Sequence, residues 1–231
     1  MLTLYSYPEL FGVADNNGYG LKVFAFLKLT GVPFVHQHLF DASAAPRAQL
    51  PYIVDDGETI GDSETILAFL IQKYQLGIDA TLTPAQRTTN HLVTRMLDDL
   101  YWVMSYSRWK DDRYFPLFRD GFMAQHKQID AAGLDKARDY NAQRYYYQGI
   151  GRYTPDQAYA RGLADLQVLA DLIPAEGYVH GAKPTSIDAG IYGFIANIHF
   201  LPIPTPLKAF VDAHANLVAH CERIHAMMTG T

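Results

Sequence analysis

The chain has 231 residues, 49% hydrophobic and 19% charged, so it can build a sizeable core and is too apolar for disorder; its length favours two domains. A formal net charge of −5 with no cluster of Lys or Arg argues against a nucleic-acid partner, which needs a basic face. The lone Cys221 cannot form an internal disulfide, no window approaches the roughly 18 apolar residues of a membrane span, and Met1-Leu2-Thr3-Leu4-Tyr5 lacks the basic start of a signal peptide, so a cytoplasmic location off the membrane is expected.

Leu2-Thr3-Leu4-Tyr5 reads as a short strand. Leu21 to Leu29 is apolar on nearly every side except Lys22 and Lys28, as in a buried helix, with Gly31 as its C-terminal stop and Pro33 close behind. Phe34 to Leu39 reads as a second strand, and the β-α-β order implies a right-handed crossover into a parallel pair. Gln49 to Val54 is a third strand entered through Pro51. Asp55-Asp56-Gly57 is a turn signal before Glu58-Thr59-Ile60, predicting a hairpin. Asp62 or Ser63 then caps a helix carrying Ile66, Phe69, Leu70 and Tyr74 at helical spacing. β-α-β followed by β-β-α is the thioredoxin-like order.

Strand signals stop there. Thr83-Pro84-Ala85-Gln86 and Thr154-Pro155-Asp156-Gln157 each place a cap, a proline and a glutamine where a helix begins, and Thr185-Ser186-Ile187-Asp188 is a third start with Asp188 reaching back to the cap. Leu92, Met96, Leu100 and Val103, and Leu163, Leu166, Leu169 and Ile173, supply the inward stripes. The expected organisation is an α/β thioredoxin-like domain over 1–76, a linker over 77–83 and an all-α domain over 84–231.

Chemistry concentrates between Gln49 and Ser63. A cis Leu50–Pro51 bond would turn the backbone of Leu50 outward to pair with an extended peptide; an ordinary trans proline at a strand start is the alternative. Asp62 and Ser63 at a helix start suit an α-amino group and an α-carboxylate, and simple capping can coexist with that role.

Together these segments resemble the glutathione-recognition half of the glutathione transferases. The resemblance implies that Leu50 and Pro51 pair with the cysteinyl backbone of glutathione and that Asp62 and Ser63 hold its γ-glutamyl end. Arg95 to Trp102, Tyr106 to Trp109, Gly149 to Arg152 and Pro184 to Ala189 resemble the branch with the failed-axon-connections and metaxin-like proteins, so the likeness spans nearly the whole chain.

The thiol-activating position departs from that pattern. Asn17-Gly18-Tyr19-Gly20-Leu21-Lys22-Val23 stands where the family carries a serine, cysteine or tyrosine donor, after a long loop from Tyr7 to Asn16. An asparagine amide and the N–H groups of Gly18 and Gly20 at a helix start can favour a thiolate, and the Tyr19 hydroxyl is a second donor. Tyr5, Ser6 and Tyr7 are weaker candidates, and Asn17 equally suits a turn or a cap. Most of the aromatic stretch from Tyr101 to Phe118 is expected to be core, with Tyr101, Tyr106 and Trp109 available to line an apolar electrophile pocket, and Arg108 either beside an anionic substrate or at the surface or pairing two helices.

The reading is a glutathione-dependent transferase in which glutathione, as co-substrate, is joined to a small hydrophobic electrophile without a metal. The alternatives are a non-catalytic interaction protein of metaxin-like type and a specialised glutathione-dependent lyase or dehalogenase. Relatives of this kind suggest a homodimer.

Overall fold

The computed structural model describes residues 1–230. β1 (Thr3–Ser6) runs parallel to β2 (Val35–His38), Thr3 opposite Val35, and antiparallel to β3 (Tyr52–Asp55), Leu4 opposite Ile53. β4 (Glu58–Gly61) returns antiparallel along β3. Positive φ at Asp56 (51°) and Gly57 (87°) gives that hairpin the two-residue turn whose twist matches its strands. The order β2-β1-β3-β4 is the thioredoxin-like arrangement.

Helix α1 (Gly18–Thr30) is longer than its apolar run suggested. It begins at the Asn17 cap and ends on Gly31, whose φ of 69° is the left-handed stop that glycine adopts readily. Helix α2 (Ser63–Lys73) follows β4 with no intervening loop beyond Asp62.

The second half is helical. α3 (Pro84–Trp109) and α6 (Pro155–Leu172) start with the Thr83–Gln86 and Thr154–Gln157 capping boxes. Between them lie α4 (Phe115–Gln125) and α5 (Ala131–Gln148). In α3 the inward face is Val93, Leu97, Leu100, Val103 and Met104. Leu92 points out at 64% exposure, so the predicted stripe was displaced by one position at its start.

Helix α7 (Ser186–His199) is buried at every position from Ile187 to Ile198, as a helix enclosed on all sides must be. Its start is fixed by Asp188, which accepts from the Thr185 N–H and hydroxyl at 2.8 and 2.9 Å, from the Val179 N–H and from His220 Nε2. Burial opposes the Asp188 charge, but these donors outweigh it and hold the carboxyl below its usual range. His220 comes from α9 (Ala215–Thr229), which α8 (Pro206–Ala213) precedes.

The two halves meet chiefly through α1 against α7. Gly193 makes that approach possible: a Cβ there would collide with the Gly18 carbonyl and the start of Lys22. A larger residue at 193 would force the halves apart.

Candidate functional site

The predicted site residues lie at two helix starts, at the entry to β3 and on α3. At the first, the Leu50–Pro51 bond is cis, Leu50 and Pro51 are buried, and β3 begins at Tyr52. Asp62 caps α2 with Oδ1, accepting from the N–H and hydroxyl of Thr65 at 3.0 and 2.9 Å, while Oδ2 lies 3.7 Å from Arg47. Its backbone (φ 79°, ψ 123°) is one that non-glycine residues seldom adopt, and such strain concentrates at binding sites. Ser63 is buried at the first position of α2, where uncapped N–H groups and the helix dipole favour a carboxylate. Lys22, from α1, forms an ion pair with Glu64 of the same α2 turn; burial lowers its pKa to about 8 against the pull of Asp98 and Asp62.

At the second start, Asn17 Oδ1 accepts from the Tyr19 N–H at 2.9 Å, so the side-chain oxygen is a cap. Tyr19 gives its hydroxyl to Asp98 of α3 at 3.1 Å, packs edge-on to Phe194 and tilts against Tyr101. Burial and Asp98 push its pKa up. That hydroxyl joins the two halves. Gly18 and Gly20 answer to close packing, since a Cβ on Gly18 would lie 3.1 Å from the Phe194 ring and one on Gly20 would overlap the Asp15 carboxyl.

Tyr7 stands between these helix starts and the helical half. Burial, then Tyr101 and Asp15, push its phenol up to about 12, so it stays protonated and remains a donor. Its hydroxyl makes no hydrogen bond among the described residues, and the charges of Tyr101, Arg144 and Tyr140 act on it. Arg144 donates to Asn141 Oδ1 at 3.0 Å and lies 5.2 Å from the Trp102 ring and 5.8 Å from the Tyr140 ring.

Three of the four predicted pocket residues lie elsewhere. Tyr106 is 2% exposed and packs on Tyr145 and Tyr159. Trp109 packs on Phe115 and Phe118. Arg108 is buried, and its guanidinium donates to the Asn16 carbonyl at 2.5 Å and to the carbonyl and Oδ1 of Asn197 at 2.6 and 3.0 Å. The cavity beside it holds about 10 Å³, room for one water and too small for a substrate. Tyr101 alone of the four packs against Tyr19 beside the α1 start.

Comparison with known proteins decides the family. The chain is 32% identical over 234 residues to an isoprene-epoxide–glutathione S-transferase of Rhodococcus sp. (strain AD45), covering 97% of this chain and 98% of that one. The chain belongs to the glutathione S-transferase family. The family's N-terminal domain model matches residues 19–114 and its C-terminal domain model residues 162–224. Failed axon connections of Drosophila melanogaster is 25% identical, with 97% of this chain matched to 57% of that protein; a metaxin-1 homolog of Caenorhabditis briggsae is 23% identical. Among solved structures, the beta-etherase LigF from Sphingobium sp. strain SYK-6 matches over 100% of this chain and 99% of its own, with a TM-score of 0.68 at 18% identity, which speaks to fold alone.

For a glutathione transferase, the groups that sequence reasoning passed over are Asp15, Asn197 and Arg144. Asn197 carried a signal, being a lone amide in the otherwise apolar run Ile191 to Ile198. A buried polar group of that kind needs a partner, and the partner is Arg108. A separate cleft of about 390 Å³ lies between the Glu9–Ala14 loop and α9, away from both helix starts.

Proposed function

We propose that the protein joins glutathione to a small hydrophobic electrophile, an epoxide being the class that the Rhodococcus relative's name supports. The α2 start carries this reading: the strained Asp62 cap, buried Ser63 and adjacent Leu50–Pro51 form a recognition end for an amino-acid-like group. Glutathione lies with its γ-glutamyl end on Asp62 and Ser63 and its cysteine beside Leu50. Its sulfur points to the α1 start, where the Tyr7 hydroxyl and the Asn17 amide stabilise the thiolate. The thiolate attacks the less hindered ring carbon, forming the S–C bond as the C–O bond breaks, and the released oxygen takes a proton from water. Tyr101, Tyr140 and Arg144 border the electrophile's side. Neither a metal nor a homodimer partner is needed for this chemistry, which runs on proximity and a stabilised nucleophile.

Incubating the protein with glutathione and 1,2-epoxybutane, and following the thioether by mass spectrometry, tests the reaction. Formation well above the uncatalysed rate supports it. Glutathione binding without conjugation, across epoxides and activated halides, would move the protein to the non-catalytic reading that the failed-axon-connections and metaxin relatives favour.

A further inference from the structure

We propose that Asp15 is the positioning residue of the thiol end, its buried carboxyl fixing the backbone from which Asn17 projects. This rests on the transferase reading above. Asp15 is fully buried in the long loop before α1. Its Oδ1 accepts from the Asn17 N–H at 2.7 Å, and Ser6 and the Tyr7 backbone lie close enough to pull its pKa down. The carboxyl therefore ties down Asn17 directly and sits beside the Tyr7 backbone.

The helical half grips the same tripeptide from behind. Asn197 Nδ2 donates to the Asp15 carbonyl at 3.1 Å, Arg108 donates to the Asn16 carbonyl, and Arg108 also bonds Asn197. Ser6 Oγ lies 2.7 Å from His36 Nε2, which ties β1 to the edge strand. The second oxygen, Asp15 Oδ2, has no hydrogen-bond partner among the described residues and lies where a Gly20 Cβ would go. Capping α1 alone needs none of this, since Asn17 Oδ1 already does it.

Burial raises the Asp15 pKa to about 8, against the pull of Asn17, Ser6, Tyr7 and Arg108. The other charged or titratable groups facing it keep one state through pH 7–9. Tyr7 is raised to about 12 and stays neutral, Arg108 is lowered only to about 10 and stays cationic, and His36, behind Ser6, is lowered to about 4 and stays neutral. Raising the pH through 8 therefore adds a negative charge behind the thiolate and disfavours it.

The experiment compares wild type with Asp15→Asn and Asp15→Ala in the full chain. Glutathione affinity is read by calorimetry, and kcat with glutathione and 1,2-epoxybutane is read from pH 6 to 9.5. Wild-type kcat is expected to fall above about pH 8. Asp15→Asn keeps shape without charge, so it stays within about threefold of wild type at pH 7 and loses the falling limb. Asp15→Ala loses about tenfold or more in kcat with affinity changed less than about threefold, because the donors drift from the sulfur. An Asp15→Asn profile superimposable on that of wild type overturns the proposal. Should wild type bind no glutathione, the transferase reading falls by itself, and the Asn17 amide resonance then decides on Asp15. That resonance is expected to titrate near pH 8 in wild type and not in Asp15→Asn; an amide that does not titrate in wild type contradicts the proposal.

Discussion

The starts of α1 and α2 solve one problem in two ways. Each leaves N–H groups free at a helix end, and each is capped by a side-chain oxygen, Asn17 in α1 and Asp62 in α2. The α2 start draws its cap from its own turn: an exposed Asp62 and buried Ser63 come straight off β4, and Asp62 Oδ1 accepts from Thr65 while Oδ2 lies 3.7 Å from Arg47. The α1 start is held from a distance, by Asp15 below it and by Arg108 and Asn197 from the other half. The α1 start is thus fixed by bonds that cross from the helical half, which the α2 cap does not use.

Substitutions can break this comparison, and the largest effect is expected at the thiol end. Tyr7→Phe should lower kcat about tenfold to a hundredfold with little change in glutathione affinity, as removal of one donor to a developing or stored anion does. Steady-state kinetics beside calorimetry checks it, and an unchanged kcat takes Tyr7 out of the chemistry. Ser63→Ala acts at the opposite end: affinity should fall about tenfold or more, because a hydrogen bond to a charged group is lost, while kcat at saturation stays close to wild type.

Smaller effects sharpen the contrast through stability. Gly20→Ala pushes a methyl into Asp15 and should cost about 1–3 kcal/mol in urea denaturation; a neutral result would mean the Asp15 loop is free to move. Asn17→Ala should cost about 1 kcal/mol as a lost cap and lower turnover more than affinity. Asn17→Asp keeps the cap and removes the amide donor, so full turnover in that variant would assign Asn17 to capping alone. The smallest change is Tyr19→Phe, which loses about 1 kcal/mol with the Asp98 bond and leaves turnover within about threefold.

Asp15 adds a pH signature. Its folded pKa lies above the ordinary carboxylate value, so between about pH 4 and 8 the folded chain holds a proton that the unfolded chain releases. Its contribution is fully present at low pH and is lost as the pH rises through that window. Thermal denaturation of Asp15→Asn should therefore show more stabilisation at pH 8 than at pH 5.

Local signals carried much of this into view. Capping boxes at Thr83, Thr154 and Thr185, the Asp56-Gly57 turn and the Asp62 cap each depend on residues within four positions, so spacing alone reveals them. For Arg108 the sequence left a substrate role and helix pairing both open, and the structure pairs it with Asn197 of α7. Its neighbours Tyr106 and Trp109 suggested a substrate pocket, but its partners are 92 and 89 positions away, and a buried guanidinium is understood only once they are known. The same holds for Tyr19, whose hydroxyl meets Asp98 across 79 positions. Leu92 was misplaced for a different reason: with Val93 beside it, two helical stripes fit equally well, and packing chose the other.

Calorimetric titration of wild type and Ser63→Ala with glutathione and with S-hexylglutathione tests the central claim most directly. The account predicts micromolar to millimolar binding to wild type, tighter for the hexyl adduct, and weakened for both ligands by Ser63→Ala. Equal affinity in the two proteins, or no binding to wild type, would contradict it.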